Sequence, residues 1–125
     1  MNAEITYDKP GDLAPLRDFV RLHATALGLP GRRADLLTLA VSELATNTLQ
    51  HTVGGGVVRL WAENGRVYCD VIDGGPARAF GRAMPAADAP RGRGLAIVER
   101  ICDEVDVESA ERGTRVRLAL DLKEP

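Results

Sequence analysis

The stretch that organises the chain is Ala40 to His51, with the sequence AVSELATNTLQH. It predicts a helix with two adjacent stripes of side chains. The first stripe is mostly apolar and spaced three and four residues apart, as a buried helix face requires: Leu37, Val41, Leu44 and Thr48. The second stripe is polar and recurs every fourth residue, a spacing that drifts only about 40° per step: Glu43, Asn47 and His51. A carboxylate, an amide and an imidazole therefore border the core.

Polar residues at the edge of a helix usually cap, solvate or form i,i+4 pairs. The stripe of Glu43, Asn47 and His51 is therefore not a functional site by itself. Its interpretation depends on which residues elsewhere in the chain accompany it.

Length and composition predict one domain over residues 1–125 with a single core. The net charge of −2 comes from interspersed charges of both signs, which disfavours a nucleic-acid or anionic membrane partner. Cys69 and Cys102 form no CxxC pattern, and we expect two reduced core thiols in a cytoplasmic protein. No apolar run approaches the roughly 20 residues that span a bilayer.

Periodicity predicts an α+β domain. Five strands are expected at Ala3–Tyr7, Val57–Glu63, Arg66–Asp73, Glu104–Ser109 and Thr114–Leu122. Three helices are expected at about Leu13–Leu27, Arg32–Thr52 and Leu95–Cys102. Asn64-Gly65 is a strong hairpin signal, and Gly54-Gly55-Gly56 is better explained as a helix stop than as a phosphate loop, because no Gly-Lys-Ser/Thr follows. This order predicts a mixed, mostly antiparallel sheet with about three helices on one face.

The segment from Gly74 to Arg93 is rich in Gly, Pro, Ala and Arg and shows no hydrophobic period. Structureless segments of about twenty residues are uncommon inside compact domains, where they tend to be lids or binding loops. We expect a lid at about residues 76–92.

Four places along the chain carry the groups that are needed to bind a nucleoside triphosphate. Asp73 ends a strand, where a buried carboxylate can accept a hydrogen bond from the exocyclic amine of a base, and the glycines after it let a flat ring approach the backbone. Gly92 and Gly94 open a helix whose free N–H groups favour phosphate oxygens. Arg91 and Arg93 are positioned to add positive charge there.

The polar helix stripe supplies the remaining chemistry. Asn47 offers an amide oxygen to Mg²⁺, which takes few protein ligands and completes its octahedron with phosphate oxygens and water. Glu43 lies one helix turn away and is placed to accept a proton from an attacking hydroxyl or water. Thr114, after Gly113 at the start of the last strand, is the fourth place.

These motifs give the chain a family resemblance. From about Leu13 to Leu120 it resembles the GHKL superfamily of Bergerat-fold ATPases, and within it the bacterial anti-sigma factor serine kinases. SELATNTLQH is similar to the family's first box, VIDGGP to its adenine box, RGRGLAIVERICDEV to its glycine box and following helix, and ERGTRVRLAL to its closing strand pair. The resemblance implies a two-layer α/β sandwich with an ATP lid, and ATP and Mg²⁺ as cofactors.

The resemblance also implies roles for individual residues. It makes Glu43 the catalytic base, Asn47 the Mg²⁺ ligand and Asp73 the adenine anchor. Further nucleotide-binding positions follow from the matched boxes: His51, Gly75, Gly92, Arg93, Gly94, Leu95 and Thr114. One departure stands out, because the adenine box commonly reads Asp-x-Gly-x-Gly and its last position here is Ala77. This alanine weakens the expectation of phosphoryl transfer more than it weakens the expectation of ATP binding.

The function implied by the resemblance is a Mg·ATP-dependent protein serine/threonine kinase that sequesters a sigma factor and phosphorylates an anti-sigma antagonist protein, with a possible homodimer. One alternative is a nucleotide-gated binding module without phosphoryl transfer. Another is a detached histidine-kinase ATPase domain, although His23 lacks the acidic neighbour and proline of a phospho-acceptor helix. A structural domain without nucleotide would leave four ordered motifs to coincidence.

Overall fold

The computed structural model describes residues 2–51, 54–73, 96–110 and 113–122, with the backbone alone at 51, 109 and 110. Its strands are β1 (Ala3–Tyr7), β2 (Gly56–Glu63), β3 (Arg66–Asp73), β4 (Glu104–Ala110) and β5 (Gly113–Asp121). Its helices are α1 (Leu13–Ala26), α2 (Gly31–His51) and α3, of which residues 96–101 are described. A 3₁₀ turn at Pro10–Asp12 leads into α1.

The five strands form one sheet in the order β1-β2-β3-β5-β4. The α+β class is confirmed, but every strand pairing in the described part of the chain is antiparallel, so the sheet is not mixed. The segment between β3 and β4 joins two strands that run in the same direction. Because β5 lies between them, the two never pair.

The core forms where the helices cover one face of the sheet. Alternate residues of the central strands are completely buried, among them Val58 and Leu60 of β2 and Leu118 of β5. They pack with buried residues of α1 and with the apolar stripe of α2. Leu37, Val41 and Leu44 of that stripe are buried as the spacing predicted.

Two turns depend on glycine or on positive φ angles. Asn64 and Gly65 have φ angles of 52° and 78° and make the tight hairpin between β2 and β3. The helix α2 ends at His51, which confirms the helix stop, and Gly54 has a φ angle of 83°. A Cβ atom at Gly55 would lie only 1.6 Å from the carbonyl oxygen of Tyr7, so this glycine lets two backbones approach closely.

The opposite face of the sheet carries charges of alternating sign in one row across all five strands: Glu4, Arg59, Asp70, Arg117 and Asp106. Arg117 makes a bidentate contact with Asp70 at 2.8 and 3.0 Å and stacks 5.0 Å from the ring centroid of Trp61. Asp70 is consequently 1% exposed on a face without helices from the described part of the chain. Cross-strand pairs of this kind stabilise a sheet face that apolar packing does not cover.

Cys69 and Cys102 are buried free thiols, in agreement with the prediction. Burial raises the pKa of the Cys102 thiol to about 12, so neither acidity nor exposure favours reaction there. No helix in the described ranges has the length and apolar character needed to cross a membrane.

Candidate functional site

Three strands bring polar groups together at one end of the helix-covered face. Tyr7 of β1 is the register partner of Gly56, which in turn is the partner of Asp73 at the end of β3. Thr114 directly precedes Arg115, the partner of Ile72, so the antiparallel register places it next to Asp73. Register partners share a face of the sheet. Tyr7, Asp73 and Thr114 therefore form the last row beneath the helices.

This row is polar but buried. Asp73 is 6% exposed and Thr114 is 4% exposed. The Thr114 hydroxyl has no hydrogen-bond partner within the described ranges. Buried hydroxyls are usually satisfied, because leaving one unsatisfied costs about 1–3 kcal/mol. A row that combines a carboxylate with such a hydroxyl suits a flat polar ligand such as a purine base.

Tyr7 links the row to α2. Its side chain is 2% exposed, and its hydroxyl lies 2.9 Å from the position that a Cβ atom of Gly56 would take. Burial raises the pKa of Tyr7 to about 12; the nearby Thr48 hydroxyl opposes this rise, and the Asp73 carboxylate adds to it. The phenol thus reaches from β1 to Gly56 of β2, where Thr48 and Asp73 influence it.

The packing of α1 determines which flank of α2 remains for a ligand. Arg17 and Arg21 of α1 contact Ser42 and Asp35 of α2 at 3.4 and 2.9 Å, so α1 covers that flank. On a helix of 3.6 residues per turn, the stripe of Glu43 and Asn47 lies on the other flank.

The flank of α2 with Glu43 and Asn47 faces the part of the sheet that contains the row of polar groups. The contacts of α1 are with β1 and β2, whereas those of α2 reach β3, the strand that ends at Asp73. Glu43 and Asn47 are both half-buried. Thr48, adjacent to Asn47, lies beside Tyr7. The polar stripe therefore borders the end of the sheet where Asp73 and Thr114 are buried.

The remaining predicted site residues cannot be placed from the described part of the chain. His51 ends α2, and its side chain lies outside that part. The predicted lid at 76–92, with Ala77, also lies outside the described residues, as do Gly75, Arg91, Gly92, Arg93, Gly94 and Leu95. Their assignments stay predictions.

The donor set of the described residues fits magnesium only in combination with a nucleotide. No group of three or more His, Cys, Asp or Glu side chains within 2–51, 54–73, 96–110 and 113–122 is arranged to hold a metal ion. Mg²⁺ commonly binds through one or two protein oxygens and completes its shell with phosphates and water. The half-buried amide of Asn47 suits that mode of binding.

Tyr7 and Thr48 are site residues that the sequence interpretation missed. Tyr7 was assigned to a strand, and Thr48 was assigned to the buried stripe. The only signal in the sequence was a tyrosine at a strand end and a glycine at the start of another strand. Their pairing depends on register, which connects residues 49 positions apart.

The sheet is antiparallel and has helices on one face. At its end, a buried carboxylate and a buried hydroxyl lie beside a polar helix flank. This arrangement is that of a two-layer α+β domain of the Bergerat ATPase type. The chain belongs to the family described as the histidine kinase-like ATPase domain, whose model matches residues 7–120. Membership of this family implies nucleotide binding. A search of curated proteins finds no significant match.

Solved structures share this fold. The RsbU and RsbW domains of Rv1364c from Mycobacterium tuberculosis match all of this chain with a TM-score of 0.76 and 23% identity. This chain spans 33% of that one. The histidine kinase domain of the blue-light activated histidine kinase from Erythrobacter litoralis EL346 matches 86% of this chain and 61% of its own, with a TM-score of 0.57 and 24% identity.

The histidine kinase AdeS from Acinetobacter baumannii matches 98% of this chain and 68% of its own, with a TM-score of 0.58 and 13% identity. At these identities the structures show a common fold. They include both an RsbW domain and histidine kinases, so the fold alone does not choose between the two kinds of kinase.

Proposed function

We propose that the protein is a Mg·ATP-dependent serine kinase that sequesters a sigma factor and phosphorylates an antagonist protein that competes for it. The observation that carries this proposal is the meeting of two polar sets at one end of the domain. One set is the half-buried flank of Glu43 and Asn47, and the other is the buried pair of Asp73 and Thr114.

Asp73, Thr114 and Asn47 each have a chemical role in nucleotide binding. The Asp73 carboxylate accepts a hydrogen bond from the 6-amino group of adenine. The Thr114 hydroxyl, which has no partner within the described ranges, pairs with the same base. Asn47 would hold Mg²⁺ through its amide oxygen, and the ion would neutralise the charge of the phosphates.

Phosphoryl transfer requires a group that takes a proton from the acceptor serine. Glu43 lies one helix turn before Asn47 on the same flank and is assigned this role. The serine oxygen forms a bond to the γ-phosphorus while the bond from that phosphorus to the bridging oxygen of ADP breaks. The serine proton passes to Glu43, and ADP leaves with the electron pair of the broken bond.

The choice of protein partners rests on two likenesses. It is supported by the resemblance of the sequence boxes to the anti-sigma factor kinases and by the likeness in fold to a domain described as RsbW. A sigma factor and a phosphorylatable antagonist are the partners that this support favours, and a homodimer is compatible with it.

Calorimetric titration of the purified protein with ATP, with and without Mg²⁺, tests the first half of the proposal. Radiolabelled ATP with a candidate antagonist then tests the second half. The substitution Glu43→Gln is compared with Glu63→Gln, a matched change at an exposed carboxylate in the β2–β3 hairpin region, far along β2 from Gly56.

The outcomes separate the candidate functions. Label on a serine of the antagonist, lost in Glu43→Gln and kept in Glu63→Gln, supports the kinase. Mg²⁺-dependent binding without transfer to any partner favours a nucleotide-gated binding module instead. A protein that binds no nucleotide contradicts both functions.

A further inference from the structure

The hydroxyl of Tyr7 is a buried polar group that the roles above do not use. It is buried and has no hydrogen-bond partner within the described ranges. It nevertheless lies near enough to Thr48 and Asp73 for both to affect its pKa. A tyrosine hydroxyl in such surroundings usually has a partner. Its placement therefore calls for a function.

The absence of a side chain at Gly56 makes room for this phenol. Gly56 lacks a side chain, and a Cβ atom there would lie 2.0 Å from the Ile72 carbonyl oxygen as well as 2.9 Å from the Tyr7 hydroxyl. Gly55 crowds the backbone of Tyr7 and Asp8 in the same way. The Tyr7 hydroxyl therefore lies next to the position that a side chain at Gly56 would take.

The proton of Tyr7 has two neighbouring acceptors. Because burial raises the pKa of Tyr7 to about 12, the phenol is protonated at neutral pH and acts as a donor. The Thr48 hydroxyl already donates to the Leu44 carbonyl oxygen at 3.1 Å, so it offers Tyr7 only lone pairs. The Asp73 carboxylate is the other acceptor, and hydrogen bonds to an ionised acceptor are roughly twice as strong as neutral ones.

We propose that Tyr7 is a positioning residue for base recognition: its buried hydroxyl, held over Gly56 between Thr48 and Asp73, directs its proton toward the Asp73 carboxylate and favours the anionic acceptor that selects a 6-amino purine. This inference rests on the proposed nucleotide-binding function and deepens it. A neutral Asp73 can donate to the 6-oxo group of hypoxanthine, whereas an anionic Asp73 repels it. Tyr7 thereby acts on the choice between the two bases through Asp73.

The chain offers a matched control for a test of this role, because it contains two tyrosines. Tyr68 lies on the opposite face of the sheet and stacks on Trp61 with ring centroids 5.4 Å apart. We would measure the dissociation constants of ADP and IDP by calorimetry for the wild type, Tyr7→Phe and Tyr68→Phe. Near-UV circular dichroism and thermal melts would establish that each variant is folded.

The expected result is a loss of selectivity. Tyr7→Phe weakens ADP binding by about 10- to 150-fold, as expected for a hydrogen bond to a charged group in the complex, and changes IDP binding by less than about threefold. Tyr68→Phe leaves both constants within about twofold. Thr48→Val removes the competing acceptor, so the preference for ADP over IDP is kept or increased.

Several outcomes would overturn the proposal. An equal loss of ADP and IDP affinity in Tyr7→Phe would show a merely structural role, and unchanged constants would show no role. If Tyr7→Phe fails to fold, Thr48→Val still tests the proposal. A weaker preference for ADP over IDP in that variant would contradict a competition between Thr48 and Asp73 for the Tyr7 proton. Equal affinity of the wild type for ADP and IDP would refute the proposed selectivity alone. If the wild type binds neither nucleotide, the proposed nucleotide-binding function is refuted as well.

Discussion

The substitution Thr114→Val has opposite effects on stability and on binding if Thr114 contacts a nucleotide. Valine has the shape of threonine and a similar preference for strands, so the change removes the hydroxyl and little else. That hydroxyl is buried and has no hydrogen-bond partner among the described residues. In the nucleotide-free protein it costs free energy, and in the complex it gains a partner.

The magnitude follows from the cost of an unsatisfied buried hydroxyl. That cost is about 1–3 kcal/mol, and we expect Thr114→Val to recover about 1 kcal/mol of unfolding free energy in the absence of nucleotide. For a domain of 125 residues this raises the melting temperature by about 4 °C. One lost hydrogen bond of about 0.5–1.5 kcal/mol weakens ADP binding by about 2- to 12-fold.

Differential scanning fluorimetry with and without ADP, together with calorimetric titration, measures both effects. Thr38→Val is the matched control, because Thr38 is 3% exposed but its hydroxyl donates to the Ala34 carbonyl oxygen at 2.8 Å. It is expected to lower the melting temperature and to leave ADP affinity unchanged. The assignment of Thr114 is refuted if Thr114→Val destabilises the nucleotide-free protein and binds ADP as tightly as the wild type.

Three further predictions follow from the described contacts. Glu43→Gln keeps ATP affinity within about threefold but slows phosphoryl transfer at least about 100-fold, measured with radiolabelled ATP; unchanged transfer would exclude Glu43 as the base. Arg117→Met leaves the Asp70 carboxylate buried without its cation and lowers the free energy of unfolding, measured in urea, by about 2–3 kcal/mol. This loss is smaller than the usual cost of breaking a buried ion pair because the Arg117 side chain is 35% exposed. ADP affinity should stay unchanged in that variant, since the pair lies on the face opposite the site. Burial raises the pKa of Tyr7 from 10.0 to about 12, so the contribution of this residue to the free energy of unfolding is intact below pH 10. Between pH 10 and pH 12 the free energy of unfolding falls by up to about 3 kcal/mol. Tyr7→Phe should show a smaller fall, and identical dependence on pH in the two proteins would contradict the burial of the phenol.

Local signals in the sequence were sufficient to predict the elements and part of the site. Hydrophobic periodicity, Asn64-Gly65 and the glycines after α2 set the helices and strands to within a few residues. The four-residue spacing of Glu43 and Asn47 predicted the polar flank of α2. The burial of Asp73 at a strand end agrees with its expected position.

The properties that the sequence did not predict are non-local. A mixed sheet was expected from the order of strands and helices along the chain, and the segment between β3 and β4 does join strands of the same direction. The sequence carries no simple signal that β5 would lie between them. The position of Tyr7 over Gly56 was missed for the same reason, since it follows from the pairing of β1 with β2. Strand order and register arise from packing of the whole sheet.

Two buried hydroxyls on the helix-covered face of the sheet support the proposed position of the ligand. On the open face, the buried carboxylate of Asp70 is held by the Arg117 guanidinium at 2.8 and 3.0 Å. On the helix-covered face, the hydroxyls of Tyr7 and Thr114 are buried without hydrogen-bond partners in the described ranges, and both lie in the row of Asp73. Folding alone favours pairing of such groups. If the proposed site is correct, substitution of these hydroxyls exchanges stability for binding, whereas Arg117→Met on the open face changes stability alone.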